Sequence, residues 1–568
     1  MAMNNTFYAV CATVALWTLM VVFYWKTFGS VDLATSSRRP TGRGTDTADR
    51  TRPPSVGSGT RHSLIEERWP ERQLDFTAPR NGTHTVHYIW CAKDKDVFLF
   101  QHYLSVYSAV RLVKPLRVII HYKSMPVTDN NYNEWYQMLK DEIPGLEHKP
   151  LPEVTCGSRD LLELSLTFLE RGGGVVLGRN VIVTRAPSRT TSSLSFHFSG
   201  SSDKTEGVVF ATGNLPAARK KESVERILNA KPECVSVETY NARSLSAPCV
   251  TLNTSRLFPL DVINASSPFA ELARWLFYGQ RGVMAARPDP AHLIPRITHY
   301  VRFQSGGLYQ ELHFNHYLSI LSSLYVAGFE RVYLHVDFVP RGRWWRDLVR
   351  ENITLVWLDK PLSVYQIKVN VIQHQSDIAR FLLVYKYGGV YQDLDVLWAT
   401  RIPDSTLAYP AVVAVDGTLA NMPERFNNGV FMARRDNVWV QSVIESSRRY
   451  RDDLWSYNSA IVTYRMYELH PKHVLVDRRL QVICHADRTC CPRWLNATHC
   501  AITNQRTAAT AGQSQPPHWR DGVLSYHVVL VKPHPSLASP DTVKKRTDMF
   551  AELARTILVK SGRQHLLK

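Results

Sequence analysis

The chain of 568 residues lacks several features that would assign it at once. It has no Gly-x-x-x-x-Gly-Lys-Ser/Thr loop to cradle phosphates and no second carboxylate-rich cluster, which disfavours a metal-dependent hydrolase or phosphotransferase of nucleotide derivatives. It has no Cys-x-x-Cys pair, so a structural zinc site is poorly supported. Lys and Arg exceed Asp and Glu by a net +18, yet they are dispersed and much of the early excess lies in a low-complexity stretch, so nucleic-acid binding is not expected. Long hydrophobic runs are also missing, with a single exception.

That exception is "FYAVCATVALWTLMVVFYW", residues 7–25, uncharged and long enough as a helix to cross a bilayer of about 30 Å. It reads as a transmembrane signal-anchor after a short cytoplasmic tail, residues 1–6. A cleaved signal peptide is the competing reading, disfavoured because the run has no basic start and is long for that role. Lys26, Arg38 and Arg39 follow the span and by charge alone would put the remainder in the cytosol. The sequons argue for the lumen: Asn81, Asn253, Asn264, Asn352 and Asn496 each begin an Asn-x-Ser/Thr triplet. Cysteine usage agrees. Outside Cys11 in the span there remain Cys91, Cys156, Cys234 and Cys249, then Cys484, Cys490, Cys491 and Cys500, an even set that suggests disulfides of open connectivity. Residues 26–83 are rich in Ser, Thr, Arg, Pro and Gly and read as a flexible stem.

With 44% hydrophobic and 11% aromatic residues, the rest can build more than one core. Five phrases recur in the same order. "VHYIW" is answered by "THYVRF", "HYLSVYSAV" by "HYLSILSSL", "RVIIHYKSMP" by "RVYLHVDFVP", "EGVVFATGN" by "NGVFMARRDN", and "FAELAR" by itself. We therefore expect two tandem copies of one plan, residues 84–285 and 294–568. In the second copy short apolar runs alternate with amphipathic helical patterns, which predicts an α/β fold with a sheet flanked by helices and ligands beyond the carboxyl ends of its strands. "SDIARFLLVYKYGG" is predicted as a helix with Ser376 as N-cap and Gly388 as stop, and "VYQDLDVLW" as the following strand.

In an extended strand Asp393 and Asp395 point the same way. Two carboxylates so placed in an apolar setting call for a cation, and a hard one such as Mn²⁺ or Mg²⁺ suits both them and the oxygens of a diphosphate. An Asp-rich turn at a strand end is the plain alternative. Asp377 and Arg380 share a face of the preceding helix and are either an ordinary ion pair or part of the same site. The first copy repeats the phrase as "GGVVLGRNVIVTR" with Gly178 and Asn180 for the two aspartates, and with Leu162 and Ser165 opposite Asp377 and Arg380. The strand and glycine positions persist there without the charges, so the fold does not demand them.

The segment "SDIARFLLVYKYGGVYQDLDVLW" resembles the donor-sugar-binding segment of the Asp-x-Asp glycosyltransferases of family 32, which include the initiating yeast Golgi mannosyltransferase and animal alpha-1,4 galactosyl- and N-acetylglucosaminyltransferases. "IPRITHYV", which holds His299, is similar to that family's first strand, "FNNGVFMARR" to its Asn-containing segment, and "SYHVVLVK" more loosely to its C-terminal histidine segment. The resemblance spans roughly residues 294–532. It implies a GT-A-like, Rossmann-type mixed sheet, a type II Golgi membrane protein with a luminal catalytic domain (the endoplasmic reticulum being the other possible address), and hexosyl transfer from a UDP- or GDP-sugar to a glycan, glycolipid or glycoprotein, with retention and with Mn²⁺ or Mg²⁺. By position it makes Asp393 and Asp395 catalytic metal ligands and assigns Asp377, Arg380, Asp393, Asn427, Asn428 and His299 to the donor. His527 becomes the candidate third ligand, with a histidine satisfied within the protein as the equal alternative. A non-catalytic glycan-binding or chaperone-like protein is the rival reading, favoured if the C-terminal segment cannot complete the metal site.

Overall fold

The computed structural model describes residues 85–568 apart from 93–95, 128–133, 171–172, 186–193, 199–206, 212–218, 232, 253–255, 305–310, 420–421, 486–521 and 530–533. The expected tail, span and stem, together with Asn81, Asn253 and Asn496, lie outside the described residues. Among the described residues no helix is long and apolar enough to cross a membrane. Asn264 and Asn352 are both exposed.

The first half contains β1 (Thr85–Trp90), β2 (Arg117–Tyr122), β3 (Glu147–Pro150), β4 (Gly174–Gly178), β5 (Val181–Val183), β6 (Leu194–Phe198), β7 (Gly207–Ala211), β8 (Val235–Ser236) and β9 (Cys249–Thr251). They form a six-stranded sheet in the order β3-β2-β1-β4-β7-β6 and a small sheet β5-β9-β8. The second half contains β10 (Ile297–Arg302), β11 (Arg331–Val336), β12 (Ile353–Trp357), a hairpin of β13 (Ser363–Val364) and β14 (Ile367–Lys368), β15 (Gly389–Gln392), β16 (Val396–Trp398), β17 (Ala411–Leu419), β18 (Met422–Ala433), β19 (Leu475–Val476), β20 (Val482–His485) and β21 (Ser525–Val529). Its large sheet runs β12-β11-β10-β15-β18-β17-β19 and its small one β16-β21-β20. The two orders match strand for strand, with β19 added at one edge of the second. In each large sheet the first four strands are parallel, and the strand after them joins antiparallel. Both sheets are mixed, as expected.

The correspondence extends to single hydrogen bonds. Ser108 Oγ accepts from Val183 N at 2.9 Å in the first half, and Ser322 Oγ accepts from Trp398 N at 3.0 Å in the second. Arg274 Nη1 donates to Val262 O and Ala265 O, and Arg555 Nη1 to Val543 O and Arg546 O, so each "FAELAR" arginine caps the open carbonyls of the short helix before it. Each half also passes from helix to strand through a glycine pair. Gly388 and Gly389 have φ of 68° and 94°, Gly173 and Gly174 of 67° and 130°. A Cβ on Gly389 would lie 2.8 Å from Ile297 O, and one on Gly174 would overlap Thr85 O. Only glycine combines that φ with so close a neighbouring strand.

Apolar side chains fill three layers. One lies on the outer face of the first sheet and includes Ile89, Leu162 and Val176. Another lies on the far face of the second and includes Tyr300, Leu321 and Met432. Between the sheets a continuous core joins Tyr88, Trp90 and Phe277 of the first half to Tyr391, Phe431 and Trp439 of the second. Burial of each such side chain contributes on the order of 1.5–3 kcal/mol. The halves thus stack through different faces. Two disulfides, Cys91–Cys156 and Cys234–Cys249, close loops of the first half. Cys484 is disulfide-bonded as well.

Two local expectations need correction. The helix before the glycine pair begins at Ile372, with Val371 as N-cap, and Ser376 lies inside it with Oγ on Ile372 O. A hydroxyl can cap a helix or bond back to the preceding turn, and here it does the latter. The Asp-Leu-Asp strand is also interrupted: β15 ends at Gln392, residues 393–395 turn, and β16 begins at Val396 in a different sheet.

Candidate active site

That turn lies at the carboxyl end of a central strand, where ligands of such sheets bind. Asp393 N donates to Gly429 O at 2.8 Å, and Val528 N to Asp395 O at 3.0 Å. The turn is therefore pinned between β18 and β21. The register Val396↔His527 then brings the His527 ring to the carboxylates. Its Nε2 lies 3.1 Å from Asp395 Oδ1 and 3.8 Å from Asp393 Oδ2. One ligand atom from each of the three side chains falls within 4.8 Å of the others.

Asn427 sets the state of the ring. Its Oδ1 accepts from Gly429 N at 2.8 Å, which fixes the oxygen at that end of the amide, and it stands 3.2 Å from His527 Nδ1. Nδ1 must then carry a proton, leaving Nε2 to face the acids. Burial alone would lower the His527 pKa, but the carboxylates of Asp395 and Asp393 outweigh it and raise it above the ordinary 6.5. Without a cation the carboxylates thus favour the protonated ring against Asp395. For Asp395 burial pushes the carboxyl up, and His527 more than offsets this and holds it low. Burial raises Asp393, with Arg380 opposing and Asp395 reinforcing.

Arg380 is buried and reaches both acids of its neighbourhood, Nη2 lying 2.9 Å from Asp377 Oδ1 and 3.3 Å from Asp393 Oδ1. Its Nη1 donates to Asn428 O at 2.8 Å, and its guanidinium lies 4.4 Å from the Tyr391 ring centroid. Asn428 Nδ2 donates to Thr463 Oγ1 at 3.3 Å, while Thr463 spends its own proton on Ser459 O or Ala460 O. That fixes the Asn428 amide and leaves Oδ1 buried without a partner. An orphaned buried acceptor beside an arginine suits a ligand hydroxyl.

The structure therefore brings together Asp377, Arg380, Asp393, Asp395, Asn427, Asn428 and His527. It does not bring His299. That ring is tied to Gly388 O through Nε2 at 3.0 Å and to His335 Nε2 through Nδ1 at 3.1 Å, at the opposite end of β15 from the aspartates. Burial lowers its pKa to about 4, so the ring is neutral. The first half has the same arrangement in His87 and His121, 2.9 Å apart, although Gly178 and Asn180 replace the two aspartates there. His299 is a core histidine of the sheet. Three residues escaped the sequence reading. Tyr391 donates to Asp393 Oδ1 at 2.6 Å, and its place two residues before Asp393 was the available signal. Gly429 is required because a Cβ there would collide with the His527 ring and approach Asn427 Oδ1 to 2.8 Å. Thr463 carried no local signal.

The donor set, two carboxylates and one imidazole in a partly buried recess, fits a divalent cation of the Mn²⁺ or Mg²⁺ type. The first half departs at each ligand. Counting from the paired strands, Gly178 and Asn180 stand for Asp393 and Asp395, and the register Val181↔Thr251 puts Thr251 where His527 stands. Leu162, opposite Asp377, belongs to the outer core, and Ser165, opposite Arg380, bonds back to Leu161 O at 2.7 Å.

Comparison with known proteins bears on this region. Residues 344–413 match the family described as "Glycosyltransferase sugar-binding region containing DXD motif". The chain is similar to Glucan organizing enzyme 1 of Cryptococcus neoformans var. grubii serotype A, 24% identical over 278 residues that cover 47% of this chain and 71% of that protein. Among solved structures it resembles the galactosyltransferase LgtC in complex with donor and acceptor sugar analogs, at 16% identity, TM-score 0.25, covering 47% of this chain and 95% of that one. It also resembles PaToxG glycosyltransferase, at 15% identity, TM-score 0.25, covering 32% and 70%. Such loose structural likenesses carry no weight for site or substrate. The segment bearing the aspartates matches a DXD glycosyltransferase region, the chain is a glycosyltransferase, and its fold class is α/β with mixed sheets flanked by helices.

Proposed function

We propose that this glycosyltransferase uses a nucleotide-diphosphate sugar, a UDP- or GDP-hexose, and transfers the hexose with retention to a glycan, glycolipid or glycoprotein acceptor. The observation that carries the reading is the convergence of Asp393, Asp395 and His527 with Arg380 beside them. A bound Mn²⁺ or Mg²⁺ would supply positive charge to the diphosphate oxygens as the sugar–phosphate bond breaks. Asp393, Asp395 and His527 would hold it, with Asn427 orienting the ring. Arg380, fixed by Asp377 and Asp393, keeps its own positive charge in a recess from which water is largely excluded. Asn428 Oδ1 accepts a donor-sugar hydroxyl, which relieves its buried, unpartnered state. We place the enzyme on the luminal side of a Golgi membrane, on the strength of the residue 7–25 run and the sequons. The completed ligand set argues against the non-catalytic alternative. Thermal unfolding with UDP, GDP and their sugars, each with and without Mn²⁺, tests the proposal. One nucleotide should stabilise the protein in a metal-dependent way, and Asp395→Asn should remove that effect. No stabilisation by any of them, together with no donor turnover, would overturn it.

A further inference from the structure

The first half lacks every ligand, yet one of its carboxylates reaches toward the site. Glu134 stands immediately before the helix Trp135–Glu142 and crosses to the second half. Its Oε1 accepts from Tyr457 Oη at 2.5 Å and its Oε2 from Arg465 Nη2 at 2.5 Å. Tyr457 opens a π-helical turn, Tyr457–Ile461, and Arg465 lies on the helix that follows, Val462–Leu469. A π-turn closes wider backbone rings than an α-helix, and such single turns are frequent at functional sites. This one supplies the carbonyls of Ser459 and Ala460 that take the Thr463 proton, so that Thr463 Oγ1 accepts from Asn428. Asn428 O in turn accepts from Arg380, which bridges Asp377 and Asp393. Each contact named is a hydrogen bond or ion pair between described residues, and the backbone of the π-turn and the helix after it joins Tyr457 and Arg465 to Thr463.

We infer that Glu134 is a positioning residue for the active site of the other half: by clamping Tyr457 and Arg465 it holds the π-turn that orients Thr463, Asn428 and Arg380. The first half then acts as a strut for donor binding, which is a reason for it to keep the fold after the ligands are gone. The inference rests on the proposed function for its effect on donor affinity, but not for its effect on structure. Two other polar contacts across the halves lie apart from this relay. The pair Arg449–Asp141 is solvent-exposed, and Tyr278 donates to Glu468 O farther along the same helix.

The test compares Glu134→Ala, Glu134→Gln, the charge swap Glu134→Arg with Arg465→Glu, and Asp141→Ala as the interface control, all in the full chain. Backbone amide exchange is the first readout. Glu134→Ala should speed exchange about tenfold in residues 457–463 and 427–429, Glu134→Gln less, and the swap should return it toward wild type, while Asp141→Ala leaves both segments unchanged. The second readout is the dissociation constant of the stabilising nucleotide sugar, which should rise about tenfold in Glu134→Ala with Mn²⁺ affinity unaltered. Unchanged exchange at 427–429, or an equal effect of Asp141→Ala, would overturn the strut. If the wild type binds no nucleotide sugar, the proposed function fails and the exchange result still decides the strut.

Discussion

The two halves of this chain share a frame and differ in a site. Sheet order, the Ser108–Val183 and Ser322–Trp398 bonds and the two capping arginines repeat, while Asp393, Asp395 and His527 are answered by Gly178, Asn180 and Thr251. The frame is therefore stable without the ligands. What the second half adds is two carboxylates in a recess, each 28–32% exposed, which repel one another until a cation or a protonated His527 stands between them. The difference separates residues retained for folding from residues retained for chemistry.

The largest expected effect breaks the second half alone. Asp395→Asn should lower transfer about 10²–10³-fold, as loss of one preorganised electrostatic group does; initial rates with the stabilising donor would show it, and a loss under tenfold would remove Asp395 from the site. The first half should fail through its disulfides. Replacing Cys91 and Cys156 by Ala should cost about 2–4 kcal/mol in denaturant unfolding. Gly429→Ala displaces the His527 ring and should weaken Mn²⁺ binding about 10–100-fold by titration, with the fold intact.

A smaller effect follows from the raised pKa of His527. A cation must displace the Nε2 proton, so Mn²⁺ affinity should fall as pH drops below that raised value, by up to about tenfold per pH unit, and His527→Gln should flatten the profile. In metal-free protein the sign is opposite for stability. The contribution of the His527–Asp395 pair is fully present below the unfolded-state value of 6.5 and is lost as pH rises through the folded-state value. The smallest effect sharpens the likeness of the halves: Ser108→Ala and Ser322→Ala each leave one buried N–H unpaired and should cost about 1–3 kcal/mol. Clearly unequal costs would mean that the two frames are not held alike.

Much of the frame was legible in the linear pattern. The glycine pairs marked the passage from helix to strand, and the apolar alternation marked the strands, because both act within a few residues. Local reading failed where two local choices compete. Ser376 has the residue type of an N-cap, yet sits within a turn that already has its start at Val371. Asp-Leu-Asp has the alternation of a strand, yet forms the bend between two sheets. His299 lay in a motif shared by both halves, and that sharing was the sign of a structural role, since the first half has Gly178 and Asn180 in place of the two aspartates.

The sequence alone determined most of the elements and the carboxylate pair, for these depend on backbone freedom and side-chain period along the chain. Only the tertiary structure decided that His527 completes the cluster and that Glu134 reaches it through Tyr457, Thr463 and Asn428. Those contacts join residues far apart in the chain, and they exist because sheet register and the stacking of one half on the other close the loops between them.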